Sequence, residues 1–397
     1  MTDPRPPAPL IHHRPASLIG QLGRYGCIFT LGSFLLFTSM CSGLFGLAVF
    51  AGTPASFSLA TVLASLTAVP YCALLLWLDR NEKEPWALII IALLWGAATA
   101  TFISGMFNDA FGSLALSAVG DPNLAHQLTA SFSAPFIEEL TKGFAVMMIF
   151  FLFRRDFDNV LDGMLYGALV GLGFAWFENI LYYVNAGEAG GYGEMVKLAW
   201  VRGIVSGMGG SHAAYTGLIG LGFGLVRVAR RGVLRWALIP LFWGMAMFAH
   251  FAWNTFVSLF IVSDSEAVTL LVSLPVATLV LQGPFLFLLL LVVVLVWRHE
   301  NGIILRYLQD EPEDVVTDAE RLALVPARRR AFSGLKRLFT RGPFSWWRQR
   351  ALEQDLVRLA FTRWHHVSDQ EVTWVADQDA DVLTLRARIR RRRAALG

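Results

Sequence analysis

Charged residues are scarce in this sequence. Only 16% of the 397 residues are charged, 55% are apolar, and the mean hydropathy is +0.52. Because a soluble globular domain contains about 25% charged residues, this composition excludes an ordinary soluble protein. A helix that crosses a bilayer needs roughly 20 apolar residues, and several segments have that length. The sequence therefore predicts a polytopic membrane protein.

Cysteine is also scarce. Cys27, Cys41 and Cys72 all lie inside apolar runs. This placement excludes a disulfide framework and a cysteine-based zinc site, because buried single cysteines behave as small apolar residues. The first apolar run, residues 25–51, is too long for a signal-peptide core and has no convincing cleavage site, so we interpret it as a retained helix.

The remaining apolar runs predict an all-α bundle of about eight transmembrane helices. We place them at residues 25–51, 56–78, 86–106, 130–153, 159–184, 197–226, 236–261 and 266–297. The last segment is too long for one straight helix, and Pro275 and the Gly283-Pro284 pair are candidate break points. The predicted domains are an N-terminal arm (1–24), a membrane domain (25–297) and a tail (298–397).

The distribution of basic residues predicts the orientation. The N-terminal arm and the loops at 79–85, 154–158 and 227–235 contain Arg5, Arg14, Arg24, Arg80, Lys83, Arg154, Arg155, Arg227, Arg230, Arg231 and Arg235. The alternating loops at 52–55, 107–129, 185–196 and 262–265 contain none, and Lys197 lies at one edge. Positive residues favour the cytoplasmic side, so we expect both termini there.

The tail from residue 298 differs in composition. It contains 19 Lys or Arg and 14 Asp or Glu, with no apolar run long enough to span a bilayer. Stretches such as GLKRLF and WWRQRALEQDLVRLAF predict amphipathic helices with basic faces, which suit either an anionic membrane surface or a solvated helical tail. We expect no nucleic-acid partner, since a basic cluster next to the membrane explains RIRRRRAALG.

A few ionisable or amide residues lie inside the predicted spans, where charge is costly and usually functional. Among them we single out Glu138, Glu139, Lys142, Glu178, Asn179, His212, His250 and Asn254. Counted from the outer ends of four spans at 1.5 Å per residue, they fall in one layer roughly 9 to 21 Å deep. This agreement in depth predicts a shared site. Glycines in the fifth and sixth spans predict close helix packing there, namely Gly171, Gly173, Gly207, Gly209, Gly210 and Gly217.

The spacing within the fourth span leaves one acid free. Glu138 and Lys142 are four residues apart and share a helix face, while Glu139 lies three residues before the lysine. One glutamate can pair with the lysine, and the other then suits a general base. The alternatives are structural hydrogen bonds between helices, a proton-coupled transporter or channel, and a membrane scaffold or sensor acting through its tail.

Four motifs follow one another along the chain. They are EELTK at 138–142, FAWFEN at 174–179, SHAAYTG at 211–217 and HFAWN at 250–254, preceded by LDRNEKEPW at 78–86. Together they resemble the PrsW family of intramembrane proteases, which is related to the CAAX prenyl protease and bacteriocin-processing (CPBP, or Abi) superfamily. The resemblance implies cleavage of membrane-anchored proteins, such as a regulatory anti-sigma factor, in a bacterial plasma membrane.

The resemblance also implies roles for the motif residues. One of Glu138 and Glu139 would activate water and the other would pair with Lys142. His250 and Asn254 would stabilise the oxyanion. These roles describe an endopeptidase whose attacking water is activated by a glutamate.

The resemblance does not decide whether the site uses a metal ion. His212 would help to bind water or the catalytic carboxylate. Glu178 stands where related prenyl proteases tend to have histidine, and this departure weakens a histidine-rich zinc site. If zinc is present, Glu178, His212 and His250 are the expected ligands. There is no HExxH motif and Lys142 would repel a dication, so we prefer a site without a cofactor.

Overall fold

The structure is a computed structural model of the chain. It describes residues 18–154, 156–205, 212–229, 232–325, 327–370 and 380–395. Within these ranges the chain forms helices and turns and no β-strand, which confirms the predicted all-α class.

The helices are numbered in chain order. They are α1 (Leu18–Gly52), α2 (Pro54–Leu78), α3 (Trp86–Val119), α4 (Pro122–Leu128), α5 (Ala134–Leu152), α6 (Val160–Gly190), α7 (Tyr192–Trp200), α8 (His212–Val228), α9 (Leu238–Phe256), α10 (Glu266–Leu281), α11 (Gly283–Tyr307), α12 (Asp318–Leu324), α13 (Ala327–Gln370) and α14 (Ala380–Ala394). Two π-helical turns, Thr129–Ser133 and Val201–Val205, precede α5 and follow α7.

Six helices in the described parts of the chain are long and apolar enough to cross a membrane. They are the Gly32–Gly52 part of α1, α2, α3, α6, α9 with its flanking turns, and α11. The predicted span 130–153 corresponds mainly to α5, which has 19 residues but contains three charged side chains. The predicted span 197–226 is divided among α7, a π turn and α8, and its residues 206–211 lie outside the described chain.

The last predicted span is two helices rather than one. α10 ends at Leu281 and α11 begins at Gly283, with Gln282 between them. Pro284 has no backbone N–H, so it suits the first turn of a new helix but not the interior of a continuous one. The buried Gln282 amide donates to the Tyr215 hydroxyl of α8 at 2.7 Å.

Helix α6 lies at the centre of the bundle, and glycines bring its neighbours close. A Cβ on Gly171 would lie 2.0 Å from the His212 carbonyl oxygen, and one on Gly173 would lie 2.1 Å from that of Leu93. These two positions accept only glycine without backbone movement. A Cβ on Gly217 would meet nothing closer than 3.8 Å, although a Cβ on Gly167 of α6 would lie 3.2 Å from the Gly217 Cα, so α6 and α8 are close there without a need for glycine at 217. Gly207, Gly209 and Gly210 lie outside the described residues.

The C-terminal helices build an apolar core around the end of α11. Ile304 of α11 and Leu308, the residue after its end, pack with Leu356 and Val357 of α13 and with Ile389 of α14. Helix α11 therefore passes through residue 298 without a break and contributes to this core. The domain boundaries drawn from the sequence stay predictions.

The tail lies at the same end of the bundle as the basic loops. The Gln354 amide of α13 donates to the Asn81 carbonyl in the loop at 79–85, at 3.1 Å. At the same end, Arg227 donates to the Phe157 carbonyl at 2.7 Å and joins the loops at 154–158 and 227–235. The tail thus contacts the loop at 79–85, and the loops at 154–158 and 227–235 contact each other, as expected for segments that the positive-inside rule assigns to one side.

Candidate functional site

Six of the seven site residues predicted from the sequence form one connected network in the bundle interior. They come from four helices and are Glu138, Glu139, Lys142, Glu178, His212 and His250. The grouping follows from the sequence spacing, since each helix directs its polar face toward the same interior point.

Glu139 is the glutamate that pairs with the lysine. Its Oε1 lies 2.6 Å from Lys142 Nζ and 3.1 Å from His250 Nδ1, and its Oε2 accepts from the Thr216 hydroxyl at 3.2 Å. Glu139 and Lys142 are both fully buried. A buried carboxylate with a cation and two further hydrogen bonds is fully compensated. Glu139 is therefore held in place rather than free to react.

Glu138 has the opposite environment. Its Oε1 accepts a long hydrogen bond of 3.3 Å from Asn108. Its Oε2 is buried and has no hydrogen-bond partner among the described residues, with Lys142 Nζ at 3.6 Å and His212 Nδ1 at 3.8 Å. A buried polar atom without a partner needs an explanation, and a water or substrate group supplies one.

The contacts of His212 determine its tautomer. Its Nε2 lies 3.0 Å from Glu178 Oε2, and its Nδ1 lies 2.8 Å from Lys142 Nζ. An ionised carboxylate only accepts and an ammonium group only donates. In neutral His212, Nε2–H therefore donates to Glu178 and Nδ1 accepts from Lys142, which fixes the ring between them.

His250 is oriented from two sides. Because the Glu139 carboxylate can only accept, the Nδ1–H of His250 donates to it. The Nε2 of a neutral His250 then carries the lone pair. The imidazole stacks on Tyr215 with ring centroids 5.0 Å apart and planes 14° apart. The Tyr215 hydroxyl accepts from Gln282, so the break between α10 and α11 supports this histidine.

Asn254, the seventh predicted site residue, makes no direct contact with the network among the described residues. Its Nδ2 donates to the Ala130 carbonyl of the Thr129–Ser133 π turn at 2.8 Å. An amide nitrogen has two hydrogens, so one remains for another acceptor.

Arg202 is a site residue that the sequence analysis missed. Its Nη2 lies 2.7 Å from Glu178 Oε2, its Nε donates to Asn179 Oδ1 at 2.8 Å, and its guanidinium lies 4.0 Å from the Tyr182 ring centre. It sits in the Val201–Val205 π turn, a type of irregularity that is frequent at functional sites. The rule that treats intramembrane charge as functional would have identified it, because it falls within the predicted span 197–226.

The charges of the network do not balance. Glu138, Glu139 and Glu178 are three acids, whereas Lys142 and Arg202 are two cations. Glu139 takes the lysine and Glu178 takes the arginine, each at 2.7 Å or less. With neutral histidines, the excess negative charge falls on Glu138, the acid with the fewest contacts. This residue is suited to accept a proton.

A cavity of about 970 Å³ gives access to the network. Its polar lining includes Glu138, Glu178, Arg202, His212, His250 and Asn254. The rest of the wall comes largely from the second half of α3, residues 101–116, and from residues 122–134 between α3 and the start of α5. At 1.5 Å per residue, position 105 lies about 28 Å along α3 from its start beside the basic loops. The cavity is thus toward the end of the bundle away from the tail.

One group of side chains in the network has the residue types of a zinc site, but a lysine lies beside it. Donor atoms of Glu138, His212 and His250 lie within 4.8 Å of one another, so Glu138 takes the place that the sequence analysis gave to Glu178. Two histidines and a glutamate are a known catalytic zinc set. However, Lys142 Nζ lies 2.8 Å from His212 Nδ1 and 3.6 Å from Glu138 Oε2. An ammonium group beside two of the three donors repels a dication, so this arrangement does not fit a metal ion.

A second acidic cluster lies at the opposite end, beside the tail. Asp79, Glu84 and Asp162 are buried with donor atoms within 4.8 Å of one another, and the Tyr166 hydroxyl donates to Glu84. Burial, followed by the negative charge of Asp162, raises the pKa of Glu84 to about 10. A protonated Glu84 at neutral pH lets the three acids be buried together, which attaches the loop at 79–85 to the start of α6.

Comparison with known proteins gives the family. Residues 84–296 match the PrsW family, described as intramembrane metalloproteases. The chain belongs to the PrsW family. It is therefore an intramembrane protease, and the transporter and scaffold alternatives are not favoured.

Three curated relatives are each named Protease PrsW. The protein of Geobacillus kaustophilus (strain HTA426) is 31% identical over 195 residues, which cover 47% of this chain and 78% of the relative. The protein of Bacillus subtilis (strain 168) is 41% identical over 73 residues, 18% of this chain and 29% of the relative. The protein of Oceanobacillus iheyensis is 31% identical over 123 residues, 30% of this chain and 52% of the relative. No solved structure matches the chain significantly.

Arg202→Gln tests whether the guanidinium positions Glu178 in this protease. We expect kcat to fall by about 10²-fold with little change in KM, because a small displacement of a site group has effects of this size. Added guanidinium should restore part of the activity of Arg202→Ala, since the arginine lines an open cavity. Arg306→Gln, at an exposed position on α11, is the control. A loss in Arg202→Gln accompanied by an equal loss of folded protein would indicate a structural role only.

Proposed function

We propose that this protease hydrolyses peptide bonds of membrane-anchored proteins with a water molecule activated by Glu138. The observation that carries the proposal is the buried Oε2 of Glu138, which has no hydrogen-bond partner among the described residues and belongs to a side chain that lines the large cavity. A general base must reach both water and the scissile carbonyl, and Glu138 combines a free oxygen with access to the cavity.

The reaction follows from this placement. Glu138 takes one proton from water, and the oxygen forms a bond to the carbonyl carbon, giving a tetrahedral oxyanion. The carbon–nitrogen bond then breaks as Glu138 returns the proton to the leaving nitrogen. The products are a carboxylic acid, which ionises, and an amine. No oxidant, reductant or metal is needed for this balance.

The surrounding residues keep Glu138 reactive. Lys142 stays 3.6 Å from its free oxygen because Glu139 and His212 take the shorter contacts at 2.6 and 2.8 Å. A direct contact would stabilise the carboxylate and weaken it as a base. Glu139 thus acts by holding the lysine.

The oxyanion requires a donor that is free. His250 uses Nδ1–H on Glu139 and keeps only a lone pair at Nε2, so in its neutral form it accepts and does not donate. Asn254 retains one amide hydrogen after its bond to Ala130 and lines the cavity. We therefore assign the oxyanion to Asn254 and give His250 the role of orienting the water through Nε2.

The preference for a glutamate mechanism over a metal mechanism rests on the position of Lys142. We expect purified protein to cleave a fluorogenic peptide library equally well before and after treatment with a strong chelator. Added zinc should not raise the rate, because a dication would have to displace the ammonium group beside His212 and Glu138.

The Glu138→Gln/Glu139→Gln double variant, which lacks both candidate catalytic acids, is the inactive control for this assay. Cleavage that is lost on chelation and returns with zinc would contradict the metal-free mechanism and make Glu138, His212 and His250 the ligands. An inactive wild-type protein is tested again with a co-expressed membrane-anchored substrate, so that an unsuitable peptide is separated from an inactive enzyme.

The proposed setting is a bacterial plasma membrane with both termini in the cytoplasm. Contacts among the tail and the loops at 79–85, 154–158 and 227–235 support one common side for these basic segments. We propose eight spans, counting α5, whose 19 residues extend about 28 Å, and the segment 197–226. The proposed substrates are membrane-anchored regulators such as anti-sigma factors. The relation to the wider CAAX prenyl protease superfamily stays a prediction.

A further inference from the structure

The first half of α13 has an unusual composition. Residues 327–350, here called the basic aromatic segment, contain Arg328, Arg329, Arg330, Lys336, Arg337, Arg341, Arg348 and Arg350. The segment also contains five aromatic residues and no acid. The nearest acids along the sequence are Glu320 before it and Glu353 after it. The rest of the described tail differs, because its basic residues are largely paired with acids, as Arg386 is with Glu311 and Arg388 with Asp355.

Large aromatic side chains of this segment are exposed. Phe339 is 80% exposed, Phe344 is 64% exposed and Trp347 is 59% exposed. Gly342 lies between them with φ of 81°, a left-handed conformation that bends the helix. Beyond the bend, Phe344 and Trp347 stack with ring centroids 6.5 Å apart, and Arg348 lies 4.3 Å from the Phe344 ring centre. Exposed aromatics interleaved with cations are typical of helices that lie in a membrane interface.

The segment is attached close to a membrane surface. Leu352, two residues beyond it, is buried in the same apolar core as Ile303 and Ile304 near the end of α11. The apolar run of α11 ends at Trp297, so Ile303 is about 9 Å farther along the helix. The bend at Gly342 is in turn about 15 Å from Leu352. The segment is therefore within reach of the headgroups around α11.

We infer that the basic aromatic segment is a docking surface for anionic phospholipid headgroups, with Phe339, Phe344 and Trp347 inserted into the interface. Its cations have no acid within the segment to pair with, which complements a negative surface. A solvated tail helix gains nothing from exposing three large aromatic rings to water. The segment binds the leaflet from which α11 emerges and holds the apolar core formed by α11, α13 and α14 against it.

The test uses the full chain in vesicles. The three native cysteines are replaced by serine, and Thr340→Cys, at an exposed position beside Phe339, carries an environment-sensitive fluorophore. Vesicles contain phosphatidylcholine alone or one-third phosphatidylglycerol, each with a nitroxide-labelled lipid. We expect blue-shifted emission and strong nitroxide quenching in the anionic vesicles, with most of the quenching lost in phosphatidylcholine alone and at high salt.

Two matched variants separate the segment from charge in general. Lys336→Gln/Arg337→Gln and Phe344→Ser/Trp347→Ser should each abolish most of the quenching. Arg390→Gln/Arg391→Gln, which removes the same charge from α14, should leave it unchanged. Equal quenching in both vesicle types, or none in either, would overturn the inference. So would a probe that is released by added nucleic acid but not by salt. Size-exclusion profiles exclude variants that fail to fold.

Discussion

Glu138→Gln will reduce peptide cleavage by roughly 10²- to 10⁴-fold, the usual contribution of a general base. The amide matches the carboxylate in size but cannot take a proton from water. Since the replacement removes the acid that is in excess over the two cations of the network, the folded protein should be at least as stable as the wild type. Single-turnover cleavage and the apparent Tm in detergent measure the two effects separately.

Glu139→Gln is the informative comparison, because the two residues are adjacent and chemically identical. It should lower both activity and Tm, since Glu139 compensates the buried Lys142 and orients His250. Glu194→Gln, an exposed acid paired with Lys197, is the neutral control. If Glu139→Gln alone lost catalysis while Glu138→Gln kept it, the assignment of the base to Glu138 would be reversed.

Lys142→Met should give the largest loss of stability. The substitution leaves the fully buried Glu139 without its cation, and breaking a buried pair in this way costs about 3–5 kcal/mol of unfolding free energy. It also removes the partner of His212 Nδ1 and the cation 4.2 Å from the Phe174 ring centre. The expected result is a lower apparent Tm and less protein recovered from membranes.

The double variant distinguishes charge from packing. Lys142→Met/Glu139→Gln removes both members of the pair, so it should recover much of the stability lost in Lys142→Met while remaining inactive. Lys197→Met is the control, because its pair with Glu194 is exposed and such surface pairs contribute little to stability. A double variant no more stable than Lys142→Met would mean that the methionine fails to pack, not that Glu139 lacks a cation.

The sequence could predict that polar groups on four helices meet, because helical periodicity and depth place them in one layer. It could not predict which glutamate pairs with Lys142, because spacings of three and four both permit a contact. The choice is decided by Thr216 and His250, which reach Glu139 from α8 and α9. Such contacts between helices depend on their relative rotation, which no local pattern encodes.

Irregular helical turns and charged spans were also hard to predict from the sequence. Arg202 lies in a π turn inside a stretch that hydropathy presents as one long span, so its inward direction could not be derived from a regular helix. The count of eight spans rested on apolar length, whereas α5 contains charges that lower its hydropathy. In contrast, Gly283-Pro284 marked the break between α10 and α11 correctly, because the missing N–H of proline is a local property.

That break gives the molecule a mechanical property. α11 begins beside Gln282, whose amide donates to the tyrosine stacked on His250, and its last turns lie in the apolar core of the tail at Ile303 and Ile304. Between these points it is one uninterrupted helix of 25 residues, about 37 Å long. Gln282 and the apolar core of the tail therefore lie at the two ends of one stiff helix. Through Tyr215, this helix connects the tail to the ring that stacks on His250.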